Sequence, residues 1–230
     1  MRKMPAVHFG RHQLGRFRFL LLSLLMLIGL RPLLDELIGT RIWADVFTDI
    51  FFTCALMSGL YAVRGQPRQL RLALLLATAI IILGLLHYTL QVQVFFRLQQ
   101  GLAGVFFIQM LFMIWIHIEK EDEVTLDLIM ASACAYILIG LVWAYFYHFV
   151  EVFHPKSFTL PWTPGDDLWD FYYYSFVTLT TVGYGDILAL TKPARALSIL
   201  EALTGQLYLA IMISRLVGLH ASQSGIGKDK

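Results

Sequence analysis

Apolar runs separated by short charged, glycine or proline breaks extend through the chain from Phe19 to Leu219. The longer runs approach or exceed the roughly 20 residues that a helix needs to cross a bilayer, which points to a polytopic helical membrane protein. Composition agrees: 58% of residues are hydrophobic, 15% are charged, and mean hydropathy is +0.67. A net charge of +2 without a concentrated basic stretch argues against a nucleic-acid footprint. Cys54 and Cys134 both lie inside apolar runs and read as small lipid- or core-facing residues rather than a disulfide. The chain has no asparagine, hence no N-glycosylation sequon, which is weakly consistent with a bacterial inner membrane.

Six spans are expected, at 19–30, 42–63, 70–90, 102–118, 125–150 and 193–219. The first is short, so its helix must extend past Pro32 or begin near Gly15 with the Arg16 and Arg18 heads reaching back to the interface. No small-residue cleavage pattern follows it, which argues against a signal peptide. The polar stretch around Gln91, Gln93, Gln99, Gln100 and Gly101 is expected to break the chain before the fourth span. Six spans put both termini on one side, and that side carries 12 of the 18 Lys and Arg residues against 6 on the other. The positive-inside rule then makes both termini cytoplasmic and turns the loop between the last two spans outward. The setting is a plasma or inner cell membrane.

That loop holds Thr180-Thr181-Val182-Gly183-Tyr184-Gly185-Asp186. Irregular backbone at membrane depth is tolerated where it lines a water-filled path. Gly183 and Gly185 can take positive φ without steric penalty, so alternation with Val182 and Tyr184 can turn successive carbonyls to one side. Four such loops around an axis would stack cages of oxygens that replace an ion's hydration shell. Asp166 or Asp167 is a suitable N-cap for a short helix over 168–179, whose C-terminal end would favour a cation.

In sequence, 178–186 resembles the signature of tetrameric potassium channels, with TTVGYGD complete and placed between two spans after an aromatic-rich short helix. The resemblance implies a homotetramer in which K+, the permeant ion and not a cofactor, meets the carbonyls of Thr181, Val182, Gly183 and Tyr184 and the Thr181 hydroxyl. Gly185 would form the outer mouth. Asp186, Tyr173, Tyr174, Val177 and Thr178 would support the filter, with the two tyrosines as an aromatic cuff and Tyr174 hydrogen-bonded to Asp186. Val177 stands where some members carry a buried glutamate, so no carboxylate is expected behind the filter. Gly205 matches the inner-helix glycine, as a gating hinge or a close-packing contact.

The fold expected is an all-α membrane protein: six transmembrane helices, a re-entrant pore helix and a filter loop in a homotetrameric channel. Its parts would be a basic cytoplasmic N-terminus (1–18), a four-helix domain resembling a degenerate voltage sensor (19–124), a pore domain (125–220) and a short cytoplasmic tail (221–230). No appended ligand-sensing domain is expected after the last span. The fourth span contains no arginine or lysine, with Arg97 just before it, so voltage dependence should be weak or absent. Asp45 and Asp49 share a helical face and either pair with Arg97 or sit in water at the interface, while His87, His117 and His148 read as interfacial. The function implied is passive, potassium-selective conduction without enzyme chemistry, binding neither nucleic acid nor a soluble substrate. The alternatives are a non-conducting scaffold or regulatory subunit, and a subunit of a potassium transporter, which usually carries several filter loops per chain.

Overall fold

The structure, a computed structural model, describes residues 16–38, 52–55, 57–59, 67–160 and 168–226. Six named helices follow in order: α1 (Arg16–Ile38), α2 (Pro67–Leu90), α3 (Gln93–Lys120), α4 (Leu126–Phe153), α5 (Leu168–Leu179) and α6 (Lys192–Ile226). Among the described residues four segments are long and apolar enough to cross a membrane: Arg68–Leu90, Gln93–Lys120, Leu126–Phe153 and Lys192–Gln223. The apolar part of α1 covers only Phe17–Leu30, but the helix runs on through Pro32, and its 23 residues would extend about 34 Å. Most of the expected second span, Asp45 and Asp49 included, lies outside the described residues.

The expected polar break at Gln91–Gly101 narrows to two residues. Gln91 adopts φ 55, its N–H donates to the His87 carbonyl at 2.8 Å, and α3 begins at Gln93. Glutamine is a good helix former and Gly101 costs only about 1 kcal/mol in a helix interior, so the helix continues through them. Gln100 is buried there, and exposed Arg97 sits inside α3 rather than before it. Thr125 caps α4, accepting from Leu128 N–H at 3.1 Å, with Asp127 in the first turn. At the other end, α6 continues to Ile226, through most of the stretch read as a tail.

α4 is the central element. On one side it packs against α1, where Phe17, Leu20, Leu24 and Leu27 recur at helical spacing and are all buried. Cys134 Sγ of α4 reaches the Phe17 carbonyl at 3.6 Å. On another side α4 meets α3, where a Cβ on Gly104 would come within 3.3 Å of the Tyr145 ring. α5 and α6 complete its surroundings. α1 and α3 therefore pack on α4 of their own chain, and α2 packs on α3. Far along α6, Arg215 Nη2 donates to the Ile118 carbonyl at 2.6 Å and the Glu121 carbonyl at 3.2 Å, joining α6 to the end of α3.

Removing the Arg215 guanidinium should destabilise the fold by about 1–3 kcal/mol, the range for hydrogen bonds made by charged groups. A lower denaturation midpoint for Arg215→Ala in detergent, partly restored in Arg215→Lys, is the expected result. Equal midpoints for all three proteins would show that this contact contributes nothing.

Candidate functional site: a short helix and its return loop

The short helix expected at 168–179 is α5, with the same bounds. A helix end leaves carbonyls without intrahelical donors, and here the following loop supplies them. Thr180 N–H donates to Phe176 O and Thr181 N–H to Thr178 O, both at 3.0 Å. Val182 and Gly183 then both donate to Val177 O, at 3.0 and 3.2 Å. φ is positive at Gly183 (58) and Gly185 (80), as the glycines allow, and also at Thr181 (60), which its residue type does not announce. Thr181, Val182, Gly183, Tyr184 and Gly185 are all exposed in the single chain.

The tyrosine assignment is corrected. Tyr173, not Tyr174, donates to Asp186, to Oδ2 at 2.6 Å. Tyr174 is buried, and its hydroxyl lies 2.7 Å from Ser198 Oγ on α6, which donates to the Ala194 carbonyl at 2.9 Å. The reason is helical phase: neighbours on α5 point about 100° apart. Tyr174 shares its face with Phe171, in a cluster of rings with Phe158 and Tyr147, which leaves Tyr173 facing the returning loop. The Tyr173 hydrogen bond holds the Asp186 carboxyl below its ordinary range, and the same bond pushes the Tyr173 hydroxyl up to about 12.

The C-terminal end of α4 and the segment leading into α6 are tied together. Glu151 accepts from the N–H groups of Lys156 (2.6 Å), Ser157 (2.9 Å) and Phe158 (3.2 Å), which fixes the turn after α4. That turn forms an antiparallel bridge with the segment after the loop, Phe158 opposite Ala189, through Thr159 N–H to Leu188 O (3.0 Å) and Leu190 N–H to Ser157 O (2.7 Å).

Gly205 lies within continuous α6, and a Cβ there would stand 2.5 Å from the Leu179 carbonyl oxygen. The missing side chain lets α6 touch the end of α5. The expectation that no carboxylate lies behind the filter is also corrected. Val177 has none, but Glu201 of α6 is fully buried between α4 and α5, within hydrogen-bond reach of Tyr147 and Ser175. A lone acid in a 27-residue apolar span was the available signal. His148, read as interfacial, is buried against Phe171 with ring centroids 5.7 Å apart, whereas His87 and His117 are partly exposed. Among the described residues no group of three or more histidine, cysteine or acidic side chains is placed to hold a metal ion.

Residues 135–219, from within α4 to near the end of α6, match the family model described as ion channel. That region is similar to an ion-channel domain. The match supports ion-channel function in a multi-pass membrane protein and leaves α1, α2 and α3 outside it. Comparisons with curated proteins and with solved structures each found no match.

Gly205→Ala should force α6 away from a backbone oxygen of its own chain and destabilise the fold by about 1–3 kcal/mol. Thermal unfolding of the purified protein is the measurement, and an unchanged midpoint would count against the close contact. Asp186 makes a second, pH-dependent case. Its lowered folded value means that the Tyr173 contact contributes fully above the ordinary carboxylate range and is lost as pH falls through that lowered value. Acidifying the Asp186 side should alter ion flux in wild type, and Tyr173→Phe should show the altered flux already at neutral pH. Tyr174→Phe should leave this acid response in place.

Proposed function

We propose that the protein is a potassium-selective channel, assembled as a homotetramer, that conducts K+ passively through the carbonyls of Thr181, Val182, Gly183 and Tyr184 at the fourfold axis. The observation that carries this reading is the alternation of positive φ at Thr181, Gly183 and Gly185 directly after α5. Such alternation lets successive carbonyls face one side, with Gly185 at the mouth. Each chain supplies one loop, so a cage around an ion needs several copies. The exposed face of α6, with Ile199, Leu203, Leu207 and Ile211 each more than half exposed, is apolar surface that neighbouring subunits or lipid would cover. The ends of α5 carry the expected polarity, the C-terminal partial negative charge favouring a cation.

In this reading the chain crosses the cell membrane six times, with both termini cytoplasmic and the filter facing out. Voltage dependence is weak or absent, because 102–118 contains no arginine or lysine and each charge moved across the membrane supplies only ~2.3 kcal/mol per 100 mV.

Purified protein in liposomes should pass K+ in preference to Na+, with block by Ba2+, and a shallow current–voltage relation. An intact tetramer that passes no K+ would sink the reading. A Cβ on Gly183 meets no atom of its own chain within 4 Å, so within the chain Gly183→Ala acts through backbone strain, about 1–2 kcal/mol. It should reduce K+ over Na+ preference by about tenfold, the rate equivalent of ~1.4 kcal/mol.

A further inference from the structure

Glu201 lies where the three helices of the ion-channel domain meet, with none of its surface exposed. Tyr147 of α4 reaches its Oε2. Ser175 Oγ of α5 lies 2.5 Å from its Oε1, and the same serine oxygen lies 2.7 Å from the Gly140 carbonyl of α4. Among the described residues no lysine, arginine or histidine pairs with Glu201. The titratable groups facing it are the α4 tyrosines Tyr136 and Tyr147, and Tyr174 of α5 packs on the Tyr147 ring at 5.0 Å. None of these supplies a positive charge. A carboxylate buried at membrane depth without a cation is costly.

Counting protons decides the form of the group. Three oxygen–oxygen contacts meet here: Tyr147 with Glu201, Glu201 with Ser175, and Ser175 with Gly140. Each needs one proton between its oxygens, because two lone pairs at this separation repel. The serine and tyrosine hydroxyls supply one apiece, and a carbonyl supplies none. We propose that Glu201 supplies the third proton, standing as a neutral carboxylic acid that donates from Oε1 to Ser175 Oγ. Ser175 then donates to Gly140, and Tyr147 donates to Oε2, so every oxygen contact is filled.

Glu201 is thereby a positioning residue. It fastens α6 to α5 two residues before Val177, whose carbonyl holds the Val182 and Gly183 N–H groups. When base removes the proton to water, two protons remain for three contacts, and Ser175 must release either Gly140 or Glu201. Alkaline pH should therefore loosen the mount of the loop. The proposal concerns this mount and stands whether or not the loop selects K+.

Infrared spectra of the full-length protein in liposomes test the protonation directly. Wild type should show a protonated-carboxyl C=O band that Glu201→Gln lacks and that alkali removes. No such difference band in folded wild type would overturn the proposal. Glu201→Gln keeps one donor and one acceptor in place, so ion flux and thermal dissociation should stay within about twofold of wild type and lose their alkaline sensitivity. Glu201→Ala strands Ser175 and Tyr147 and should lower flux by about tenfold or more. If Glu201→Gln folds but fails as Glu201→Ala does, a negative charge is required and the neutral acid is wrong. Should wild type conduct no ion at all, the infrared band and the dissociation midpoints still decide this point, separately from the channel reading.

Discussion

The Val177 carbonyl accepts two N–H groups, from Val182 and Gly183, and the geometry of the return loop rests on that double contact. A helix that stops leaves its last carbonyls without intrahelical donors, and something else must fill them. Here the loop itself does so. Holding Thr181 at positive φ costs about 1–2 kcal/mol, and two backbone hydrogen bonds contribute about 1 kcal/mol each. Strain and bonding are comparable, so the loop depends on its surroundings to decide the balance. Those surroundings are close: Tyr136 of α4 donates to the Leu179 carbonyl at 3.4 Å, and Gly205 of α6 lies against the same oxygen.

What the sequence disclosed follows from where its signals are local. The bounds of α5 were legible because an aromatic run ends at a glycine-bearing motif, and positive φ at Gly183 and Gly185 follows from residue type. Glutamines at 91–100 suggest a break by their polarity, although glutamine propagates helices well. The choice between Tyr173 and Tyr174 turns on helical phase relative to two other elements, which no linear pattern contains. Glu201 is the instructive omission. It sits among leucines and alanines with nothing beside it in sequence, and its partners are 54 and 26 residues away. The carboxylate sought at Val177 enters instead from α6.

The helices outside the ion-channel domain are coupled to it by geometry of two kinds. α1 and α3 bury apolar faces on α4, a broad contact with no directional preference. Arg215 is directional: it reaches the carbonyls at the end of α3, where the helix leaves acceptors unfilled and the dipole favours a cation. Near that end Phe17 of α1 stacks on His117, with centroids 4.9 Å apart, and His117 Nδ1 lies 3.7 Å from Glu121. α1 and α3 thus share one junction with α6.

The bridge between Phe158 and Ala189 turns the stretch holding α5 and its return loop into a closed ring of chain. Separating these ends of α4 and α6 would break the Ser157–Leu190 and Thr159–Leu188 hydrogen bonds and would also pull on the contacts that Tyr136 of α4 and Gly205 of α6 make with the Leu179 carbonyl, so the clasp and the mount of the loop would share one load.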